Sequence, residues 1–192
     1  MAIVTHTSPG EKWLLTLGLG VKQLQFGVKQ SDRAGIRFHN GQVLGLHACI
    51  LAIEALKPKP SLFPNGNIGM PVALIHWYRS MTDKQSASPA NILANTELIM
   101  RQMQDGRPFL QGELPGLADI VSAAWLIPQR KHLPTDHAAF VWLDRMEELA
   151  NPANHSGALS LGVEAFKELQ DDGLLEVQKT ETTVTVTSPL DQ

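Results

Sequence analysis

Near residue 66 the hydrophobic rhythm of this chain changes. Upstream, short runs of period two are interleaved with helical stripes; downstream, apolar residues recur at spacings of three and four almost to the tail. A chain ordered in this way has to set a small sheet beside a group of helices, because neither part can bury its apolar face alone. The change falls in the stretch 57–69, where Lys57-Pro58-Lys59-Pro60, Pro64 and Asn65-Gly66 interrupt any regular element. The expected architecture is an α/β unit over 1–66 followed by an all-α unit over 67–192 with an extended tail.

Within the first unit Ile3-Val4-Thr5 reads as a strand, and Ser8-Pro9 follows almost at once. Serine caps a helix and proline fills its first position, so a helix is expected through Trp13, Leu14, Leu17 and Val21. Residues 24–28 alternate and predict a strand. Ile36-Arg37-Phe38 and Gln42-Val43-Leu44 flank an Asn-Gly turn, which predicts a hairpin. Cys49, Ile50, Ile53 and Leu56 share one face of the next helix.

In the second unit residues 72–78 predict a short apolar helix ending near Thr82. Ser88-Pro89 opens another, with Ile92, Thr96, Ile99 and Met103 inward. Leu117, Ile120, Val121, Ala124 and Trp125 mark a third helix, and Ala139, Trp142, Leu143 and Met146 a fourth. Leu159, Val163, Phe166 and Leu169 mark a fifth, closed by Asp172-Gly173. Val184-Thr185-Val186-Thr187 is an extended segment whose partner the sequence does not name.

Composition removes several classes of function. Hydrophobic residues make up 43% of the 192 residues, enough for a real core. The formal charge of −3 is spread without a basic stripe, which disfavours nucleic acid as a partner. One cysteine, Cys49, excludes an internal disulfide framework and a multi-cysteine zinc site. The seven histidines show no metal-ligand spacing, and His132 and His137 stand apart from other ligands. No secretory pattern opens the chain and no apolar run reaches about 18 residues, so no membrane partner is expected and the location is read as cytoplasmic.

Asp105-Gly106-Arg107-Pro108-Phe109-Leu110-Gln111-Gly112 and the following Leu114-Pro115-Gly116-Leu117-Ala118-Asp119-Ile120 carry a more specific signal. Asp119 stands three residues after Gly116, where a carboxylate reaches back to cap a helix. This stretch resembles the core-helix segment of the glutathione S-transferase superfamily. Ala139-Phe140-Val141-Trp142-Leu143-Asp144-Arg145-Met146 is similar to that family's next helix, and Pro60-Ser61-Leu62-Phe63-Pro64 to its inter-domain linker. Ser8-Pro9-Gly10-Glu11-Lys12 resembles the first turn of its thioredoxin-like domain. The resemblance implies a shortened thioredoxin-like N-terminal domain, a helical C-terminal domain, glutathione as cofactor and a homodimer.

It also implies site residues. Ser8 falls where the family places its catalytic hydroxyl or thiol, so it becomes the candidate that holds the glutathione thiolate, with Thr5 and Thr7 as neighbours able to substitute. The family's Glu-Ser or Asp-Ser pair for the γ-glutamyl end is replaced by Leu46-His47-Ala48, which leaves His47 as a candidate contact. Cys49 reads as a core thiol. His76, Tyr78 and Arg79 lie on the helix that lines the family's substrate cleft, which suits a conjugated, apolar electrophile. Two departures stand out: only Gln30-Ser31-Asp32-Arg33-Ala34-Gly35 separates the second strand from the hairpin, and no proline precedes Ile36. The expected activity is transfer of glutathione to such an electrophile. The alternatives are glutathione-dependent cis–trans isomerisation of a polyketide-type secondary-metabolite intermediate and a non-catalytic module of the same fold, used for protein association.

Overall fold

The computed structural model describes residues 2–38, 41–56, 61–63, 69–82, 88–103, 105–151, 176–180 and 183–187. The first unit runs β1 (Ala2–His6), α1 (Pro9–Val21), β2 (Phe26–Gln30), β3 (Gly35–Arg37), β4 (Gly41–Leu44) and α2 (Leu46–Leu56). β1 pairs parallel with β2 and antiparallel with β3, and β3 pairs antiparallel with β4. The order β2-β1-β3-β4 is that of a thioredoxin-like sheet. Only 31–34 join β2 to β3, so the connection has no room for a helix: this is the shortened part. The hairpin is present, with Phe38 N–H donating to Gly41 O at 2.7 Å, while His39 and Asn40 of the expected turn lie outside the described residues.

β2 starts two residues later than the alternating pattern suggests, because Leu24 belongs to the stop of α1. Leu24 N–H donates to Leu19 O at 3.0 Å and Gln23 N–H to Gly20 O at 2.8 Å, with Gln23 at φ 56°. These two bonds and the left-handed residue form a Schellman cap, which usually takes glycine at that position. α1 itself is buried continuously from Leu14 to Val21. A helix apolar on every side belongs in the middle of a protein, and α1 lies between the sheet and the helices that follow.

The second unit holds α3 (Gly69–Thr82), α4 (Pro89–Arg101), α5 (Leu117–Leu126), a 3-10 helix (Ile127–His132) and α6 (Ala139–Leu149). The inward positions agree with the stripes: Ile92, Thr96 and Ile99 on α4, and Ala139, Trp142, Leu143 and Met146 on α6, are buried, while Met103 is half-buried. The expected fifth helix over 159–169 lies outside the described residues, as does most of 57–69. The tail finds its partner in the sheet. β6 (Thr183–Thr187) pairs parallel with β4, and β5 (Glu176–Thr180) pairs antiparallel with β6. By hydrogen bonding these last strands join the sheet begun by residues 2–44, not the helices they follow.

Two polar clusters position the start of α5. Lys22, fully buried at the end of α1, meets Glu54 of α2 at 2.6 Å, and Glu54 also accepts from Ser61 Oγ (2.7 Å) and Leu62 N–H (3.0 Å). Burying such a pair costs several kcal/mol of desolvation that attraction repays only in part, so its effect is on position: it seats Leu62, whose carbonyl then accepts Leu117 N–H at 3.0 Å and starts α5.

The second cluster completes that start. Asp119 is wholly buried and accepts from Gly116 N–H (3.1 Å), Leu110 N–H (2.7 Å) and Trp142 Nε1 of α6 (3.1 Å). Burial pushes its carboxyl above the usual carboxylate range, against the pull of these donors. Gly116 has no side chain to provide the other half of a capping box. Gln111 provides it instead: its Oε1 accepts Ala118 N–H at 3.1 Å, and a Cβ on residue 116 would lie 1.7 Å from that same oxygen. Glycine is there to admit the glutamine.

Candidate functional site

α1 begins at the carboxyl end of β1, and its first turn is fully specified by sequence. Ser8 is the N-cap, extended at φ −134° and ψ 158°, and its Oγ accepts Glu11 N–H at 3.3 Å. Glu11 reaches back, its Oε2 accepting Ser8 N–H at 3.1 Å, Thr7 N–H at 2.8 Å and the Thr7 hydroxyl. This reciprocal box satisfies the cap, and Pro9 has no N–H to satisfy. Gly10 is different: among the described residues no acceptor takes its N–H, and the Ser8 hydroxyl proton goes to none either. The positive end of a 13-residue helix therefore presents one free amide and one free hydroxyl proton.

Tyr78 brings a third donor from α3. Its ring is 2% exposed, and its hydroxyl comes so near α1 that a Cβ on Gly10 would lie 2.3 Å from Oη. Burial first, and the nearby Glu11 charge second, raise the phenol's pKa well above its ordinary value, so it stays neutral and able to donate. Among the described residues no hydrogen bond engages Tyr78 Oη. Two donors thus stand at the start of α1 and a third packs against its first turn, with the Glu11 carboxylate as a negative neighbour. An anionic sulfur could be held there by direct hydrogen bonds; the helix dipole alone would be offset by Glu11.

The other candidates sit elsewhere. His76 and Arg79 are exposed, turned from Tyr78 by about 200° and 100° around α3, so helix phase divides what the sequence grouped as one wall. His47 is 5% exposed in the first turn of α2. Cys49 is wholly buried, and its thiol donates to Val43 O at 3.4 Å. Thr5 is buried on β1, and Thr7 is exposed with its hydroxyl committed to Glu11. Sequence reasoning missed Glu11 and Gly10. The first was legible as Ser-x-x-Glu; the second was not, because its role depends on where Tyr78 arrives.

No family model and no curated protein matches this sequence. Solved structures do. Maleylacetoacetate isomerase from Anaeromyxobacter dehalogenans 2CP-1 superposes with a TM-score of 0.57 at 17% identity, over 84% of this chain and 95% of that one. A Tau class glutathione S-transferase from mango, Mangifera indica, gives 0.57 at 16% identity over 88% and 97%. A glutathione transferase homolog from Burkholderia gl BGR1, with bound glutathione, gives 0.56 at 15% over 88% and 98%. This chain has the glutathione S-transferase fold. In glutathione S-transferase terms its N-terminal domain lacks the helix between β2 and β3, and its tail lengthens the sheet at β4.

Proposed function

We propose that this chain is a glutathione-dependent enzyme that activates the thiol of glutathione at the start of α1 for addition to a conjugated, apolar electrophile. The observation that carries the proposal is that Ser8 Oγ and Gly10 N–H, at the start of α1, and Tyr78 Oη, packed against Gly10, are three donors without an acceptor among the described residues. A free thiol has a pKa of about 8.5, and donors that bind only the anion lower it. Glutathione supplies the nucleophilic sulfur. Ser8 donates to it, Gly10 adds a fixed amide, and Tyr78 donates as a neutral phenol on the side of α3. The buried position of His47 gives the γ-glutamyl end no evident contact there, so affinity rests more heavily on the thiol end. His76 and Arg79 are proposed at the rim, on the solvent side of α3.

A second reading is cis–trans isomerisation, favoured by the likeness to the Anaeromyxobacter enzyme, which carries dicarboxyethyl glutathione and citrate in its active site in one structure. Both readings require the same held thiolate. Incubation with glutathione and conjugated enones, followed by mass analysis, separates them: a conjugate of summed mass marks transfer, and an isomer with glutathione unconsumed marks isomerisation. Protein that fails to bind glutathione at millimolar concentration ends both and leaves a non-catalytic module. A homodimer is part of the proposal, and a monomeric mass in light scattering contradicts it.

A further inference from the structure

Ser8, Gly10 and Tyr78 can donate to an anionic sulfur, but none of them is a base for the proton that a thiol gives up. Glu11 is a carboxylate in the same turn, and only half of it is in use. Oε2 accepts from Thr7 N–H (2.8 Å), Ser8 N–H (3.1 Å) and the Thr7 hydroxyl. Oε1 engages no hydrogen bond among the described residues, although the side chain is half-buried. The carboxylate is held beside Ser8 by two reciprocal bonds, because the Glu11 amide also donates to Ser8 Oγ at 3.3 Å. Its charge also reaches Tyr78, the phenol that packs against Gly10.

Charge makes this free oxygen consequential. A thiolate beside an ionised Glu11 would put two negative charges at one helix start, and neighbouring anions oppose each other's ionisation. Passing the proton from sulfur to Oε1 removes the conflict. The site then carries one negative charge before the step, on the carboxylate, and one after it, on sulfur. The other ionisable groups near this turn fit the task less well. Lys12, next along α1, is a cation lying 5.7 Å from the centre of the Trp13 ring, and it has no lone pair to offer. His6 ends β1, two residues before Ser8, but its Nδ1 is buried without a partner, out of reach of a bound thiol. From α3 comes the neutral phenol of Tyr78, and from α5 only the Ala124 carbonyl approaches Gly10.

We propose that Glu11 is a catalytic residue, the acceptor of the thiol proton and the acid that completes the addition; this rests on the thiol reading of the site. The proton passes from sulfur to Oε1 while the electron pair of the S–H bond stays on sulfur. The thiolate forms the C–S bond at the β-carbon of the conjugated electrophile, and the π pair moves to the α-carbon and its carbonyl. Oε1 then returns the proton to the α-carbon, which restores the carboxylate and consumes only the thiol and the alkene. Oε2 keeps the cap throughout, so the first turn of α1 need not open.

The test counts protons. Free glutathione near neutral pH is mostly thiol, so binding as thiolate must send a proton either to the solvent or to the protein. Calorimetric titration of the intact chain with glutathione, in two buffers of different ionisation enthalpy, measures the proton released; S-methylglutathione, which has no thiol proton, gives the baseline. Thiolate absorbance is followed in parallel. Wild-type protein should show the thiolate band with no proton released above baseline. Glu11→Gln should show the band with about one proton released per site, and turnover of a conjugated enone should fall about a hundredfold. Glutamine serves in a capping box as glutamate does, so circular dichroism should not change. A role in capping alone would leave the proton count of the variant like that of the wild type. One proton released by the wild-type protein, a count that needs no variant, overturns the inference and leaves the thiol reading standing. Unchanged turnover in Glu11→Gln does the same. So does release that appears in His6→Gln and not in Glu11→Gln, which would assign the proton to His6. Absence of any thiolate band in the wild-type complex ends the thiol reading and this inference together.

Discussion

The hydroxyl of Tyr78 occupies the place where a side chain on Gly10 would begin: a Cβ there would stand 2.3 Å from Oη and 3.4 Å from Cζ. This contact joins the first turn of α1 to the middle of α3 and makes the glycine a requirement of packing. Gly10→Ala should therefore destabilise the fold by about 1–3 kcal/mol, the usual cost of overpacking. Tyr78→Phe removes the colliding oxygen, so the double variant should recover most of that loss. A urea-denaturation cycle reads the coupling; additive effects would mean that the two residues do not touch.

Tyr78 is the single tyrosine among the 192 residues, so its ionisation can be followed in the intact protein by phenolate absorbance. Burial and Glu11 both oppose the phenolate. A phenol whose folded pKa exceeds the unfolded value of about 10 gives stability that is intact below that pH and falls as pH rises beyond it. Phenolate absorbance should appear only together with loss of ellipticity. Ionisation near pH 10 in a still-folded protein would show an open hydroxyl.

Asp119 holds three donors from three segments: Leu110, Gly116 and Trp142. Removing a buried acceptor costs about 1–3 kcal/mol for each donor left unpaired, so Asp119→Ala should destabilise by about 3 kcal/mol or more. Asp119→Asn keeps one acceptor oxygen and should cost visibly less. Denaturation monitored by tryptophan fluorescence distinguishes the two, and equal losses would deny the carboxylate its shared role.

The same region shows what a sequence reveals and what it hides. Asp119 three residues after Gly116 announces a helix start, because that spacing is local geometry. The replacement of the missing hydroxyl by Gln111 is not announced, since it depends on a turn that brings residue 111 over residue 116, sealed by paired Phe109 and Gly112 hydrogen bonds of 3.1 Å. Stripes on α4 and α6 were legible because burial follows helical period; α5, expected to be apolar on one face, is buried on nearly every side. The partner of the tail was not, because alternation marks a strand without saying which edge it meets. At the site, Ser8 was legible as a cap; that Tyr78 turns inward while His76 and Arg79 turn out depends on the phase of α3, which Leu74, Ile75 and Tyr78 set by packing inward.

Gln23 offers a gain in stability. It holds φ 56° at the position that ends α1, where residues with a Cβ are disfavoured. Gln23→Gly should stabilise by about 0.5–1 kcal/mol, the relief of strain exceeding the added flexibility of the unfolded chain. A higher urea midpoint with unchanged slope is the expected result; a lower midpoint would mean that the Gln23 side chain makes a contact worth more than the strain.

The sharpest test of the proposed chemistry is at Ser8. Ser8→Ala removes the hydroxyl from the sulfur's place and the cap from α1, but the rest of the box remains, since Glu11 still accepts from Thr7 and residue 8 N–H. The fold should lose about 1 kcal/mol. Turnover should fall about a hundredfold, the typical cost of deleting one donor to an anion in a preorganised site. The bound thiol's pKa should rise towards its free value, readable as loss of thiolate absorbance in the glutathione complex at neutral pH. Tyr78→Phe, which leaves the cap untouched, should show a smaller shift in the same direction. If Ser8→Ala keeps both turnover and thiolate absorbance while Tyr78→Phe loses them, the phenol is the principal donor and Ser8 only a cap. If neither changes, the thiol is not held at the start of α1.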